Sequence, residues 1–285
     1  MRLKITLKGK NNLKIPFNYN HILSSIIYKG IDDMDLAYKL HSSNSFKFFT
    51  FSQLNIKNRK IIKDYIIACD GVISFYLSSP SDLLIKNFTC GFIDKDVMFL
   101  NEKLKVIKIE VLRMPDFKEI SNFKTVSPII IRSKRDIDGK TKVWDLAPSD
   151  KFFRGIENNL IKKYCVFKKI DSTDKKIKAY SEMANVKRKR ISINKGPQTT
   201  YHRAYMMDLI LEGDVDLIKF AYDCGLGEKN SVVNLALLAS RLNQTLMGLK
   251  CMMDSIRNIE VGRIKSDLNG IEMLSNVTGK GIITD

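Results

Sequence analysis

Three residues near the start of the chain carry groups that can cleave a phosphodiester without a metal ion. Tyr28, His41 and Lys47 supply a phenol, an imidazole and an ammonium group. When a ribose 2′-hydroxyl attacks its neighbouring phosphate, a base takes the 2′ proton, an acid protonates the leaving 5′ oxygen and a cation stabilises the phosphorane. These side chains can fill the three roles if the elements that carry them end at one edge of a sheet. The open alternative is a structural tyrosine, a helix-terminal histidine and a solvated lysine.

A second segment, residues 225–231 with the sequence GLGEKNS, is suited to binding phosphate. Gly225 and Gly227 allow positive φ and can turn backbone N–H groups toward one point, and Lys229 adds a mobile cation. The segment lacks the Gly-Lys-Ser/Thr ending of a P-loop, which argues against a nucleoside triphosphate site. A helix C-cap followed by a turn would also explain Gly225.

Four consecutive cations, Lys187, Arg188, Lys189 and Arg190, lead into an alternating segment that predicts a strand. On a strand they would point to both sides and could follow a phosphate backbone. The chain has 48 Lys and Arg against 31 Asp and Glu, a net charge of +17, which favours a polyanion as partner. A solvated charge run or a localisation signal is the alternative, and the fusion to a strand favours nucleic acid.

The spacing of apolar residues predicts a first α+β domain over residues 1–120. Its predicted elements are a strand at 2–7, a helix at 20–30, a short helix from 32 to 41, strands at 46–52 and 71–77, a helix at 81–88 and one or two strands at 97–112. We expect Asn20 and Ser81 to cap helices and Gly30 to occupy the C′ position of the first helix. The order strand, helix, strand, strand, helix, strand is that of the ferredoxin-like fold.

A second, similar domain is predicted over residues 121–235, so the fold class is α+β with two domains in tandem. Its predicted elements are a strand at 126–132, a hairpin turn at 138–139, a helix at 150–163, strands at 186–193 and 201–211 around the turn at 196–197, and a helix at 214–223. Residues 232–238 could form a strand or begin a helix. The tail, 236–285, has apolar residues at helical spacing, which predicts a helical extension that packs on the body or on a second copy in a homodimer.

Composition argues against several classes of site. The five cysteines contain no C-x-x-C pair and there are only three histidines, so we expect no metal site, no cofactor and no disulfide framework. No apolar run is long enough to cross a bilayer, and the first ten residues lack an apolar signal region. We therefore expect a cytoplasmic protein with no membrane partner.

Three segments together resemble the endoribonucleases that process CRISPR precursor RNA, the sixth family of Cas proteins within the RAMP (repeat-associated mysterious protein) superfamily. Residues 16–21 and 23–28 (PFNYNH and LSSIIY) are similar to the family's first helix, which ends in a catalytic tyrosine. Residues 40–41 (LH) and 47–52 (KFFTFS) match the segment that bears the catalytic histidine and lysine. Residues 225–231 match the opening of the C-terminal glycine-rich loop. The resemblance covers roughly residues 1–231.

This resemblance implies tandem ferredoxin-like domains and metal-independent cleavage inside each CRISPR repeat, which leaves a 2′,3′-cyclic phosphate and a 5′-hydroxyl. It implies Tyr28, His41 and Lys47 as the catalytic set. We take His41 as the general base, Tyr28 as the orienting group or acid, and Lys47 as the phosphate stabiliser. The implied partner is CRISPR repeat RNA, single-stranded or hairpin, held by the cations of residues 187–190.

The chain departs from the family pattern after Ser231. A second pair of glycines around an aromatic residue is expected there, and residues 232–235 read VVNL instead. We expect such a change to lower RNA affinity before it disturbs the catalytic geometry. Two other functions remain open: a non-catalytic, repeat-RNA-binding subunit of a CRISPR effector complex, and a basic structural protein that binds nucleic acid without specificity.

Overall fold

Two antiparallel sheets follow one another along the chain in the computed structural model, which describes residues 1–42, 46–93, 95–195, 198–228 and 237–239. The first half contains β1 (Arg2–Lys8), β2 (Leu13–Pro16), α1 (Asn20–Lys29), α2 (Met34–Ser42), β3 (Thr50–Phe51), β4 (Arg59–Ile62), β5 (Tyr65–Ala68), β6 (Val72–Ser78), α3 (Asp82–Phe92), β7 (Asp96–Phe99) and β8 (Glu102–Leu112). The second half contains β9 (Ile120–Thr125), β10 (Arg132–Ile137), β11 (Lys140–Asp145), α4 (Asp150–Lys168), β12 (Ile177–Tyr180), a 3₁₀ turn (Met183–Asn185), β13 (Lys187–Lys195), β14 (Gln198–Met206), β15 (Asp208–Gly213), α5 (Val215–Cys224) and β16 (Leu237–Ala239). Of the helices in these residues, none combines the length and the apolar character needed to span a membrane.

The first sheet has the strand order β3-β6-β1-β8-β7. β1 pairs antiparallel with both β6 and β8, and β3 pairs antiparallel with β6. Strands β1 and β3 therefore run parallel with β6 between them, which is the split βαβ arrangement of the ferredoxin-like fold. Leu3, Ile5 and Leu7 alternate along β1 and are fully buried, as a strand with one face on the core requires.

The second sheet repeats this plan with the order β12-β15-β9-β16. Helix α4 connects β9 to β12 with β15 between them, and α5 connects β15 to β16 with β9 between them. The predicted α+β fold with tandem ferredoxin-like sheets is therefore confirmed. Two hairpins, β10–β11 and β13–β14, are inserted, and we call β13–β14 the basic ribbon. The predicted helical extension, from residue 240 onward, lies outside the described residues, as do 229–236.

Two local predictions are confirmed by backbone geometry. The hydroxyl of Ser81 accepts a hydrogen bond from the N–H of Leu84 and caps α3. Asp138 and Gly139 have φ angles of 51° and 68°, and β10 and β11 pair on either side of them. Positive φ at both central residues is the requirement of the type I′ hairpin turn.

The predicted ends of α1 are wrong in their detail. The N-cap is Tyr19, which makes no side-chain cap bond, and Asn20 is the first helical residue. Gly30 follows the helix with a φ of −81°, so it does not use the left-handed conformation that favours glycine at C′. A Cβ on Gly91 of α3 would instead clash with the carbonyl oxygen of Gly30, and a Cβ on Gly30 would lie 2.5 Å from the ring of Phe92, so close helix contact explains both glycines.

Two predicted strands are shorter or displaced. Of residues 46–52, Thr50 and Phe51 form β3, and the N–H of Ser52 donates to the carbonyl of Tyr76 in β6 at 2.9 Å. The carbonyl of Phe48 instead accepts a hydrogen bond from the hydroxyl of Ser79 at 2.6 Å. The strand expected at 126–132 is wrong, and β9 ends at Thr125. Pro128 interrupts the region because it lacks the N–H that a ladder needs.

The strand expected at 201–211 is two strands, divided at Met207. The N–H and the hydroxyl of Thr125 both donate to the carbonyl of Met207, at 3.1 and 3.0 Å, and the N–H of Met207 donates back to that hydroxyl at 2.9 Å. This exchange ends β14 in the ribbon and starts β15 in the main sheet. Strand β12 and the small sheet of order β2-β5-β4 were not predicted from the sequence.

A buried guanidinium joins the two halves of the fold. Arg2, at the start of β1, is 1% exposed and donates to the carbonyl of Tyr222 in α5 at 2.7 Å. Its Cζ atom lies 3.7 Å from the centre of the Tyr222 ring. Burial lowers the pKa of this guanidinium, and Tyr222 and Asp223 oppose that effect. Phe48 and Phe167 add a ring contact at 5.2 Å between centroids.

We predict that Arg2→Met lowers the free energy of unfolding by about 2–3 kcal/mol, because the Tyr222 carbonyl loses its donor inside the interface. Lys4→Met, on the same strand, is the control. Lys4 pairs with Glu110 at 3.3 Å, and both side chains are partly exposed, so its loss should cost under about 1 kcal/mol. Urea unfolding at neutral pH measures both variants, and equal losses would contradict the buried role of Arg2.

Candidate functional site

The ends of α1 and α2 and the segment before β3 are joined by side-chain contacts. Tyr28, at the end of α1, meets the ring of Phe49 edge-on, with centroids 5.6 Å apart. The amine of Lys47 donates to the carbonyl of Leu40 in the last turn of α2. His41 is the next residue of that helix, and its side chain lies outside the part of the structure that is described. These contacts link Lys47 to the residue before His41 and link Tyr28 to the segment that follows Lys47. The catalytic roles of Tyr28, His41 and Lys47 stay a prediction.

Lys47 is a cation in a partly desolvated place. Burial lowers the pKa of its amine. Its contact with a carbonyl at the C-terminal end of α2 places it where the helix dipole favours positive charge. Charges interact more strongly as solvent is withdrawn, so an ammonium group here can stabilise an anion beside His41.

The glycines of residues 225–231 adopt the backbone conformation that the sequence predicts. Gly225 and Gly227 have φ angles of 76° and 78°. A Cβ on Gly227 would lie 2.9 Å from the carbonyl oxygen of Ile130. This position therefore requires glycine for both its φ and its close backbone contact.

Two amides of this glycine loop, however, donate to backbone carbonyls of the protein itself. The N–H of Gly225 donates to the carbonyl of Ala221 at 2.9 Å, as a helix C-cap does, and that of Glu228 donates to Ile130 at 3.0 Å. The convergence expected for the Gly225 amide is therefore wrong. A phosphate-binding role for the loop depends on its later residues, and Lys229 is outside the described residues.

Lys163 of α4 holds the loop by hydrogen bonds to its backbone, and its role was not predicted from the sequence. Its side chain is 3% exposed, and its amine donates to the carbonyls of Gly227 at 2.7 Å and Gly225 at 3.5 Å. Burial lowers the pKa of this amine to about 8. Lys163 continues the apolar stripe of Ile156 and Leu160, and a lysine on the buried face of a helix is the signal that could have identified it.

Glu228 ties the other end of the loop to β10. Its carboxylate accepts from the backbone N–H of Arg132 at 3.1 Å and from the Nε of the same residue at 2.6 Å. Charge-assisted pairs with two donors are both strong and directional. The described part of the glycine loop is thus held at both ends by side chains of the second half.

A basic groove of about 810 Å³ lies between the halves. Its walls include the N-terminal end of α1, the β4–β5 hairpin, β9 and the basic ribbon. Among the described residues that line it, the cations are Arg59, Lys124, Lys187, Lys189 and Arg190, and the one acidic residue is Asp208. A concave surface with this charge raises the local concentration of a polyanion.

Three of the four predicted ribbon cations, Lys187, Lys189 and Arg190, line the groove. Arg188 lines a smaller pocket. Of the described residues that line the groove, none is Tyr28, Lys47, Gly225 or Gly227. Arg59 and Lys124 belong to separate elements and have no distinguishing sequence pattern, so only the tertiary fold identifies them.

The lowered pKa of Lys163 predicts a specific pH dependence of stability. The ordinary pKa of a lysine amine is 10.5, and that of folded Lys163 is about 8. Between these two pH values the amine is protonated in the unfolded chain and neutral in the folded chain, so the free energy of unfolding rises with pH. Across this window we expect the free energy of unfolding of the wild type to rise by about 3 kcal/mol relative to that of Lys163→Met. Urea unfolding at a series of pH values tests this, with Lys162→Met at the exposed neighbouring position as control. A pH-independent difference would show that Lys163 has an ordinary pKa.

Family models, relatives and solved structures that are similar to this chain all belong to one family. Residues 14–110 match the family model described as CRISPR-associated protein Cas6, N-terminal, and residues 112–232 match CRISPR associated protein Cas6, C-terminal. The chain is 37% identical over 238 residues to CRISPR-associated endoribonuclease Cas6 1 of Methanocaldococcus jannaschii, which covers 81% of this chain and 90% of that protein. It is 31% identical over 237 residues to CRISPR-associated endoribonuclease Cas6 of Pyrococcus furiosus, covering 77% and 81%. A solved structure described as CRISPR associated protein Cas6 is 35% identical with a TM-score of 0.72 and covers 85% of this chain and 99% of that one. The chain therefore belongs to the Cas6 family of CRISPR-associated proteins.

Proposed function

We propose that this chain is a metal-independent endoribonuclease that cleaves CRISPR precursor RNA within its repeats. The observation that best supports the proposal is the contact between the Lys47 amine and the carbonyl of Leu40, the residue before His41. The contact of Tyr28 with Phe49 brings the phenol-bearing helix end to the same segment. Two relatives that are 37% and 31% identical are named endoribonucleases, which supports the same reaction class here.

The proposed reaction is an internal transesterification. His41 takes the proton of the 2′-hydroxyl, the 2′ oxygen forms a bond to phosphorus, and the bond to the 5′ oxygen breaks. Tyr28 orients the phosphate or gives its proton to the leaving 5′ oxygen. Lys47 stabilises the negative charge that develops on the phosphorane oxygens. The products are a 2′,3′-cyclic phosphate and a 5′-hydroxyl, and no step needs a metal or cofactor.

The RNA is held, in this proposal, by the basic groove and the glycine loop. Lys187, Arg188, Lys189 and Arg190 contact phosphates along the basic ribbon. Gly225 and Gly227 shape the loop so that Lys229 can reach a phosphate. Most of this binding is electrostatic, so it should weaken steeply as salt is raised.

We predict that His41→Ala lowers the single-turnover cleavage rate of repeat RNA by at least about 100-fold in excess EDTA, because the base is lost. Binding of the same RNA should stay close to that of the wild type. Labelled repeat RNA, analysed on gels that resolve a cyclic-phosphate end, measures the rate, and fluorescence anisotropy measures binding.

The contrasting variant is Lys187→Ala combined with Arg190→Ala. It should weaken binding and reduce the slope of log K against log salt by about 0.7 for each lost phosphate contact, while cleavage at saturating protein is retained. Cleavage that disappears in EDTA, or that persists in His41→Ala, would overturn the proposal. Tight binding by the wild type with no product would identify a non-catalytic RNA-binding subunit instead.

A further inference from the structure

The β10–β11 hairpin and the basic ribbon meet in a pocket of about 260 Å³ that is separate from the catalytic positions. Two aromatic side chains line it and are exposed in part: Trp144 is 40% exposed and Tyr201 is 60% exposed. Arg188 and Arg203 also line the pocket. Large exposed rings interleaved with guanidinium groups are typical of surfaces that bind unpaired nucleotides.

A buried contact between His202 and Asp145 joins the two hairpins. His202 is 7% exposed, and its Nδ1 lies 3.2 Å from Oδ1 of Asp145. The other carboxylate oxygen of Asp145 accepts from the backbone N–H of Arg203 at 2.7 Å. Trp144 precedes Asp145 and Tyr201 precedes His202, so the pair sets the relative positions of the backbones that carry both rings. Such a fixed backbone reduces the ordering that a bound base would require.

The pocket is continuous with the basic groove through Lys189 and Arg190, which line both. Arg190 lines the groove, the pocket and a cavity of about 350 Å³ that Tyr201 also lines. Its Cζ lies 5.0 Å from the centre of the Tyr201 ring. Asn18 and Ser192 line both the groove and that cavity. A strand that leaves the groove along Arg190 therefore arrives at the aromatic pocket.

We propose that this pocket binds one unpaired ribonucleotide of the bound RNA, with its base against the rings of Trp144 and Tyr201 and its phosphate against the surrounding arginines. The inference rests on the proposed function, because it assumes that RNA occupies the groove. It adds a base-stacking subsite on the ribbon, outside the catalytic positions and the glycine loop. Stacking of this kind is tolerant of base identity and contributes to affinity more than to sequence choice.

The single tryptophan of the sequence is Trp144, so its fluorescence reports on this pocket alone. The experiment titrates the full chain, in the non-cleaving His41→Ala form, with single-stranded repeat RNA and follows tryptophan emission and anisotropy together. We expect the emission to be quenched with the same midpoint as binding, after correction for absorption by free RNA with N-acetyltryptophanamide.

Two substitutions at Tyr201 test whether its ring stacks on a base of the RNA or only lies near the RNA. Tyr201→Ala should weaken binding about 5- to 30-fold, and Tyr201→Phe should bind like the parent protein because only the ring is needed. Thermal unfolding checks that both variants fold, as expected for an exposed side chain.

Unchanged affinity in Tyr201→Ala would overturn the subsite, whether or not the emission is quenched. It would favour a protein partner as the occupant of the exposed rings. Loss of RNA binding in Tyr201→Phe as well as Tyr201→Ala would also contradict stacking, since it would assign the effect to the hydroxyl.

If no variant and no wild-type protein binds RNA, the proposed function fails, and this inference fails with it. Cleavage is measured separately, so an RNA-binding protein without turnover leaves this test intact.

Discussion

The buried guanidinium of Arg2 is the constraint that relates the two halves of the molecule. It lies on β1, the central strand of the sheet beside which Tyr28 and Lys47 lie, and it bonds to the carbonyl of Tyr222, at the end of α5. The glycine loop begins three residues later, at Gly225. Together with the ring contact of Phe48 and Phe167, this contact therefore fixes the distance between the sheets, and it also fixes the starting point of the loop. Because the basic groove lies between the halves, its shape depends on this contact too.

Within the second half, a chain of polar contacts extends from the loop to the ribbon. Glu228 of the loop holds Arg132 at the start of β10, and Arg132 is the cross-strand partner of Asp145. The carboxylate of Asp145 in turn holds His202 and the backbone of β14. Lys163 supports the same loop from the helix beneath it. Each link joins groups that would be costly to leave unpaired in a partly buried place, so loop and ribbon behave as one framework.

Much of the fold follows from local signals, and much of the site does not. Alternation in residues 2–7, the Ser81 cap and the Asp138-Gly139 turn predict β1, the start of α3 and a hairpin, because each depends on neighbouring residues. The division of residues 201–211 at Met207 depends on Thr125, which is distant in sequence. The groove likewise combines Arg59, Lys124 and the ribbon, whose proximity exists only in the folded chain. Residues 46–52 show the same limit, since the carbonyl of Phe48, inside the predicted strand, accepts a hydrogen bond from the hydroxyl of Ser79, which is distant in sequence.

The central claim is that a 2′-hydroxyl of the substrate is the nucleophile and that Tyr28, His41 and Lys47 serve it. The most direct measurement compares a repeat RNA with an otherwise identical strand that carries one 2′-deoxyribose on the 5′ side of the scissile phosphate. The account predicts that the modified strand binds with nearly unchanged affinity and is not cut at that position, because the attacking oxygen is missing. Cleavage of both strands at the same rate would contradict it.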